Sequence, residues 1–374
     1  MVFSHLLAND SVVGIDIGSS QIKVVYAEPC RKGSAITHVA MCPTPRDSVK
    51  EGVVIDIVEV GAAIRTCLRS SGIKSTNVIA AIAGPGVIVR QVQVPAMTER
   101  VLRKSIQFEA GKYISANVED SIVEFDITGP GHAEGQMSVM LAAAPKMMVE
   151  SRVAALEHAG LCPIAVDVEV FANLRAMIDY NPDKDAVPGT IALLDIGASH
   201  SEINLISKSG LEISRTIPIA GESLTNSIKN ARGTELEEAE AYKHELDLTE
   251  LCDMPAGSTS DPSLRAAQLL IDELLREIRR SVNYYQSQLP DGAADNSVEA
   301  LMVTGGTSRM KGLAQYIHSR LGMDVRIGNP HLCKYVAGAS GNKLSDEDMP
   351  LISVAFGLAV KEMQALPARS LTAA

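Results

Sequence analysis

The apolar positions of this chain switch repeatedly between a strand-like spacing and a helical one. Residues 12–16 form an unbroken run, as a buried strand requires, and residues 22–27 follow as its hairpin partner across a Gly-Ser-Ser turn. Residues 57–70 instead set Val60, Ile64, Cys67 and Leu68 on one helical face, and Ser71-Gly72 ends it. Residues 78–83 predict another strand. Residues 87–94 alternate and stop at Pro95. A helix capped by Thr98 is expected to reach about Tyr113, with Leu102, Ile106 and Tyr113 on one side. Strands near residues 122–127 and 137–144 flank a Gly-rich loop, and a second helix over about residues 146–159 closes at Gly160. This β-α-β-β-α block is expected as a compact insertion, about residues 87–160, within a first domain.

Asn181-Pro182-Asp183 and Pro188-Gly189 read as a linker, which places a domain boundary near residue 185. Beyond it, residues 191–194 and 203–206 predict two strands. Thr234 and Glu237 suggest a capping box before an acidic helix. Residues 252–262 are rich in Gly, Ser, Thr and Pro, hence a loop. Residues 267–289 predict a long amphipathic helix with Ile271, Leu274, Ile278, Val282 and Tyr285 on one face, stopped by Pro290-Asp291-Gly292. That stripe reads first as domain core, and otherwise as a partner-binding face. The alternation of strands and helices predicts an α/β protein.

A length of 374 residues suits two domains, and with no Trp, 5 Phe and 8 Tyr the cores must be aliphatic. The net charge of −11 argues against general nucleic-acid binding. No apolar run approaches the roughly 18 residues of a membrane-spanning helix, since Gly84-Pro85-Gly86 breaks the best candidate, and residues 3–8 do not read as a signal peptide. The six cysteines include no C-x-x-C pair and no clustered His, so neither a disulfide framework nor a zinc site is expected, and a reducing cytoplasm is the natural compartment.

The chemistry lies in a repeat. Asp16-Ile17-Gly18-Ser19-Ser20 recurs as Asp195-Ile196-Gly197-Ala198-Ser199, and each copy ends a predicted buried strand. Glycine permits close backbone approach, and successive turn N–H groups with short hydroxyls can cup a phosphate. A carboxylate in such a place makes sense with a divalent cation between it and the phosphate, which suggests Mg²⁺ through water at Asp16 and Asp195. Lys23 can return toward the same phosphates. A single copy would read as an ordinary turn with an exposed acid; two copies 179 positions apart favour a nucleotide. Strand-like residues 301–304, followed by Gly305-Gly306-Thr307-Ser308, suit close contact with a base or ribose, although a diglycine also makes a tight turn.

Together these elements resemble the actin/Hsp70/sugar-kinase superfamily, over essentially the whole chain. The resemblance implies two actin-like domains with ribonuclease H-like halves, residues 1–185 and 186–374, that bind ATP or ADP with Mg²⁺ between them. Residues 16–23 match its first phosphate motif, 195–201 its second and 303–308 its adenosine motif, which assigns Gly18, Ser19, Ser20, Lys23, Gly197, Ala198, Ser199, Gly305, Gly306 and Ser308 to the ligand. Residues 166–176 are similar to the first connecting helix and place Glu169 near an attacking water. Residues 354–361, with Gly357, are similar to the second, over about 350–363. Segments 221–225 and 239–243 resemble those approaching ribose and base, which implies Gly221, Glu240 and Lys243; as residues alone, Glu240 and Lys243 are equally a solvated helix face. A second insertion, 2B, is implied over about 215–298.

Within the superfamily the chain is most similar to the FtsA/PilM branch. The block after Val87 resembles its 1C subdomain, and residues 105–126 and 277–285 resemble the PilM family of type IV pilus assembly proteins. Ser115 stands where that pattern has Pro, and Ala198 and His200 stand where relatives often have Gly and Thr. The resemblance implies a cytoplasmic scaffold with at most slow ATP turnover. Its partner would be the short cytoplasmic tail of a PilN-like membrane protein, held in a groove between subdomains 1A and 1C. A pilus assembly ATPase and self-association are further partners it allows. The tail, residues 364–374, has no amphipathic helix of the kind FtsA uses to reach membrane. A small-metabolite kinase, with Asp167 beside Glu169 as a base, and an FtsA-like division protein stay open as alternatives.

Overall fold

Short-range signals settle most of the elements. In the computed structural model, which describes residues 12–30, 33–114, 118–131, 133–179, 189–255, 258–289, 298–329 and 346–361, β1 (Val12–Ile17) and β2 (Gln21–Cys30) form the expected hairpin. It is followed by β3 (Gly33–Pro43), the short pair β4 (Val49–Lys50) and β5 (Val53–Val54), and α1 (Ile57–Ser71). Asp56 caps α1 by accepting from the Glu59 N–H at 2.9 Å, and Gly72 ends it in the left-handed region at φ 75°. Next come β6 (Asn77–Ile82), β7 (Ile88–Pro95), α2 (Glu99–Ala110), β8 (Ser121–Pro130), β9 (Gln136–Pro145), α3 (Lys146–His158), β10 (Cys162–Val168) and α4 (Glu169–Leu174). The remainder is β11 (Thr190–Ile196), β12 (Ser201–Ser207), β13 (Gly210–Ile217), α5 (Gly221–Arg232), α6 (Leu236–Glu245), α7 (Pro262–Gln288), β14 (Val298–Thr304), α8 (Leu313–Leu321), β15 (Asp324–Ile327) and α9 (Ser353–Ala359).

These elements divide into two units, one drawn from Met1–Ala83, Lys146–Lys184 and Asn329–Ala374, the other from Gly84–Pro145 and Asp185–Gly328. The chain thus passes between units several times, where the sequence suggested one crossing near residue 185. Each unit contains a five-stranded sheet of the same plan, β3-β2-β1-β6-β10 and β13-β12-β11-β14-β15. In each, the central strand pairs antiparallel with the next strand of its hairpin and parallel with the strand on its other side. The internal repeat of the sequence is therefore a repeat of architecture.

In the first unit α1 and α3 cover one face of the sheet. Their core joins Ile15, Ile17, Val24, Val60, Ile64, Leu68, Ala155 and Leu156. Each valine, leucine and isoleucine among them contributes about 1.5–3 kcal/mol on burial. On the other face α9 lies against β1 and α4. A Cβ on Gly14 would collide with the Ala355 carbonyl, and one on Gly357 with the Ala172 carbonyl, so backbone meets backbone at both crossings. In the second unit α7 supplies the long apolar stripe, with Ile271, Leu274, Ile278 and Tyr285 buried in one core with residues of β11, β12 and β14. The insertion is a three-stranded sheet, β7-β9-β8, covered by α2, and β7 lies alongside β13 of the same unit.

Several expectations need correction. The helix of residues 146–158 does not belong to the insertion; it packs on α1, because Ala155 and Leu156 complete that core. The first connecting helix begins at Glu169 and not at residue 166, since β10 continues in parallel register with β6 through Val168. It then widens into a π-helical turn, Arg175–Asp179. α2 ends at Ala110, before Gly111, and Thr98 precedes it without a side-chain cap. The Thr234–Glu237 capping box does not form: Glu235 occupies the N-cap position, and the buried Thr234 hydroxyl has no partner in the protein. α7 starts five residues early, because Asp261 accepts from the N–H groups of Ser263 and Leu264 and Pro262 opens the first turn. The second connecting helix is α9, preceded by a 3-10 stretch, Asp346–Ile352. The linker around residues 181–188, Ser115, Pro290-Asp291-Gly292 and the tail from residue 364 lie outside the described residues.

Candidate functional site

The two hairpin loops close in the same way. Gly18 N–H donates to the Gln21 carbonyl and Gly197 N–H to the His200 carbonyl, both at 3.1 Å. A Cβ on either glycine would crowd that same carbonyl, at 3.0 and 2.9 Å, so the tight closure is what the glycines supply. In the first loop the carbonyls turn back into the scaffold. Thr44 donates its hydroxyl to Gly18 O at 2.7 Å and its N–H to Ser20 O at 2.9 Å. In the second loop Gly197 O accepts from Gly221 N–H at 3.1 Å and the Thr307 hydroxyl at 3.0 Å, and Ala198 O accepts from Glu222 N–H at 2.8 Å. Carbonyls held from behind leave a loop free to present N–H groups and serine hydroxyls to an anion.

In the first unit Asp16 stands directly across from Lys23 in the β1–β2 register, and the two form an ion pair at 2.8 Å. Asp16 is buried, and its Oδ1 has no hydrogen-bond partner in the protein. Ser19 and Ser20 complete the loop. Beneath it lies a residue that sequence reasoning missed. Arg152 of α3 is 2% exposed and donates to Ile17 O at 3.0 Å and Gly52 O at 3.1 Å. Burial lowers its pKa, while the nearby charges of Glu169 and Asp16 favour its charged form. Glu169, the first residue of α4, thus shares one neighbourhood with Asp16 and Arg152. A lone arginine on the apolar face of residues 148–159 was the only signal available.

Asp167 has a different role from the catalytic base considered for it. It pairs with Arg175 and with Lys361 at 3.0 Å, and its Oδ1 accepts from the Val168 N–H at 2.9 Å. Arg175 also donates to Gly357 O at 2.6 Å. The carboxylate ties β10, α4 and α9 together.

The second unit gathers the remaining candidates. Gly305, at φ 86°, lies against the Asp195 carboxylate, whereas a Cβ on Gly306 would meet nothing within 4 Å. Gly306 therefore opens outward. Ser308 is buried and donates to Gly305 O at 2.7 Å, which fixes the diglycine turn. Lys243 donates to Gly221 O at 3.3 Å, Thr225 Oγ1 at 2.9 Å and Glu240 Oε2 at 2.7 Å. Burial would raise the pKa of Glu240, but the hydrogen bonds from Lys243 and Thr225 and the lysine charge hold it below the ordinary value. Glu240 and Lys243 are thus an ordered network behind the Gly221 turn rather than a loose solvated face. Ser199 Oγ lies 3.0 Å from His200 Nδ1.

Glu202 was not anticipated. It faces Asp195 across β11 and β12, where the first hairpin has Lys23 facing Asp16. Its carboxyl pKa is pushed up to about 7, by burial and then by the Asp195 charge; Asn204 nearby acts in the opposite direction without a hydrogen bond of ordinary geometry.

Residues 14–363 match the family of the type IV pilus assembly protein PilM. The chain belongs to that family. A solved PilM–PilN type IV pilus biogenesis complex contains a chain of similar fold, with a TM-score of 0.79 and 27% identity over 94% of this chain and 98% of that one. The cell division protein FtsA of Pseudomonas aeruginosa is 24% identical, over 94% of this chain and 89% of its own. MreB5 of Spiroplasma citri, solved with AMPPNP bound, has a TM-score of 0.50 at 13% identity, over 95% and 96% of the two chains. The fold is accordingly the actin-like one.

The donor set suits ATP with Mg²⁺. Among the described residues no three His, Cys, Asp or Glu side chains converge on a metal. Mg²⁺ keeps several waters and takes further oxygens from phosphate, so one or two protein carboxylates suffice. The buried, unpartnered Oδ1 of Asp16 offers an acceptor for such a water. Among the described residues no helix is long and apolar enough to cross a membrane.

Proposed function

We propose that the protein is a nucleotide-binding scaffold of a type IV pilus or related secretion machine, binding ATP or ADP with Mg²⁺ through its two hairpins. The observation that carries this reading is the matched pair of closed glycine loops, each with an aspartate at the end of its central strand. Lys23 supplies a point charge for phosphate, and Ser19, Ser20 and Ser199 supply hydroxyls. The open side of Gly306 gives room for adenosine, and the Glu240–Lys243 network holds the Gly221 turn against the second loop. When bound, Mg²⁺ would neutralise phosphate charge beside Asp16 and Asp195.

Glu169, which shares a neighbourhood with Arg152, is proposed to orient a water, and turnover is expected to be slow. The kinase alternative loses its candidate base, because Asp167 is committed to Arg175 and Lys361. The scaffold is expected to hold the cytoplasmic tail of a PilN-like inner-membrane protein and to reach the membrane through it, as the PilM–PilN complex suggests. The insertion is the proposed receiver of that tail. β8 pairs only with β9 among the described residues, which leaves a strand edge for an extended peptide, and Val101 and Phe108 are exposed on α2.

Isothermal titration with ATP and Mg²⁺, followed by titration with a synthetic N-terminal tail of a PilN-like protein, tests both halves of the proposal. Absence of ATP binding at millimolar ligand removes the first; absence of tail binding to the ATP-loaded protein removes the second.

A further inference from the structure

The two hairpins are alike in loop closure and register but not in charge. Asp16 faces Lys23 and is paired with it; Asp195, at the equivalent position, faces Glu202. Cross-strand partners on one sheet face lie side by side, and like charges there repel. Glu202 is 6% exposed, its Oε2 has no hydrogen-bond partner, and no Lys, Arg or His of the described residues forms an ion pair with it. Two positions further along the same face of β12, Asn204 is fully buried with neither Oδ1 nor Nδ2 partnered. Unsatisfied buried oxygens of this kind are costly unless a ligand completes them.

We propose that Glu202 is a ligand of the divalent cation, forming with Asp195 the protein side of its seat on the second hairpin, with the Asn204 amide oxygen as a further neutral donor. The proposal rests on the reading that the hairpins serve a nucleotide with Mg²⁺, and it adds a division of labour. Lys23 gives the first hairpin a positive charge for phosphate, while the carboxylate pair gives the second a negative charge for metal. Two carboxylates and an amide are hard oxygen donors that leave room for water and phosphate, as Mg²⁺ or Mn²⁺ requires.

The test uses the full chain and Mn²⁺ as a paramagnetic stand-in, followed by electron paramagnetic resonance with and without ATP. ATP binding is measured separately in EDTA. The wild type is expected to bind one Mn²⁺ with ATP absent, and Glu202→Gln to weaken that binding at least about tenfold, close to 1.4 kcal/mol. The metal-free melting temperature of Glu202→Gln should hold or rise, since the substitution removes a buried carboxylate that adjoins the half-buried one of Asp195. A fall in that temperature would mark Glu202 as structural and overturn the proposal, as would unchanged Mn²⁺ affinity in the variant or no Mn²⁺ uptake by the wild type. ATP binding without Mn²⁺ uptake would sink this proposal and leave the nucleotide reading standing. Glu202-dependent Mn²⁺ uptake without ATP binding would do the reverse.

Discussion

Gly305 stands so close to Asp195 that a Cβ on the glycine would overlap the aspartate Oδ1. It also adopts φ 86°, a region where a side chain is strained by about 1–3 kcal/mol. Gly305→Ala is therefore expected to destabilise the protein in urea melts by at least that amount and to displace the Asp195 carboxylate. Gly306→Ala, whose new methyl meets nothing within 4 Å, should melt like the wild type yet bind ATP more weakly. Equal loss of stability in both variants would contradict this account of the diglycine turn.

ATP with Mg²⁺ should raise the melting temperature. At ligand 100-fold above its dissociation constant, linkage contributes about 2.7 kcal/mol to the folded state. For units of this size that corresponds to a rise of roughly 5–10 °C, provided unfolding is close to two-state. Asp16→Ala should remove the rise, because it deletes both the partner of Lys23 and the acceptor offered by Oδ1. Differential scanning fluorimetry reads both effects.

Steady-state hydrolysis without a partner should remain below roughly one turnover per second, the low end of ordinary enzyme rates. Glu169→Gln should lower whatever turnover exists while leaving ATP affinity within about twofold of the wild type. Phosphate-release kinetics paired with ATP titration separate these effects.

Stability in EDTA should depend on pH through Glu202. Its pKa is raised from 4.5 to about 7 in the folded state, so between those values the native protein holds a proton that the unfolded chain has lost. Stability should accordingly fall as pH rises through that window and level off above it. Glu202→Gln should flatten the profile, as followed by urea midpoints at closely spaced pH values.

Legibility of these features depended on how local their cause was. The hairpins could be read because Asp-Ile-Gly and the flanking apolar runs are contiguous, and the equal register follows from equal loop length. The helical stripe of α7 could be read for the same reason, although its start was missed because Asp261-Pro262 looked like loop chemistry. β10 was partly taken for helix, since its strand character comes from pairing with β6, far away in sequence. Arg152 escaped notice because the carbonyls it holds belong to residues 135 and 100 positions earlier. Glu202 looked like one more acid on a strand; only the cross-strand register shows that it occupies the place of Lys23. The grouping of residues 84–145 with the second sheet likewise depends on contacts that no local pattern encodes.

The tail of a PilN-like partner should protect backbone amides of the insertion from exchange, above all along β8 and α2. Protection confined to residues beyond Gly189 would refute the proposed receiver.

The clasp around Asp167 has a mechanical consequence. Arg175 grips both that carboxylate and the Gly357 carbonyl, Lys361 grips the carboxylate from the far end of α9, and the α4 and α9 backbones touch at Ala172 and Gly357. Two helices fastened at a crossing and again at their ends cannot slide past one another by a turn without breaking buried ion pairs. They are fastened to move as a yoke does, and the end of β10, which carries Asp167, is tied into the same piece.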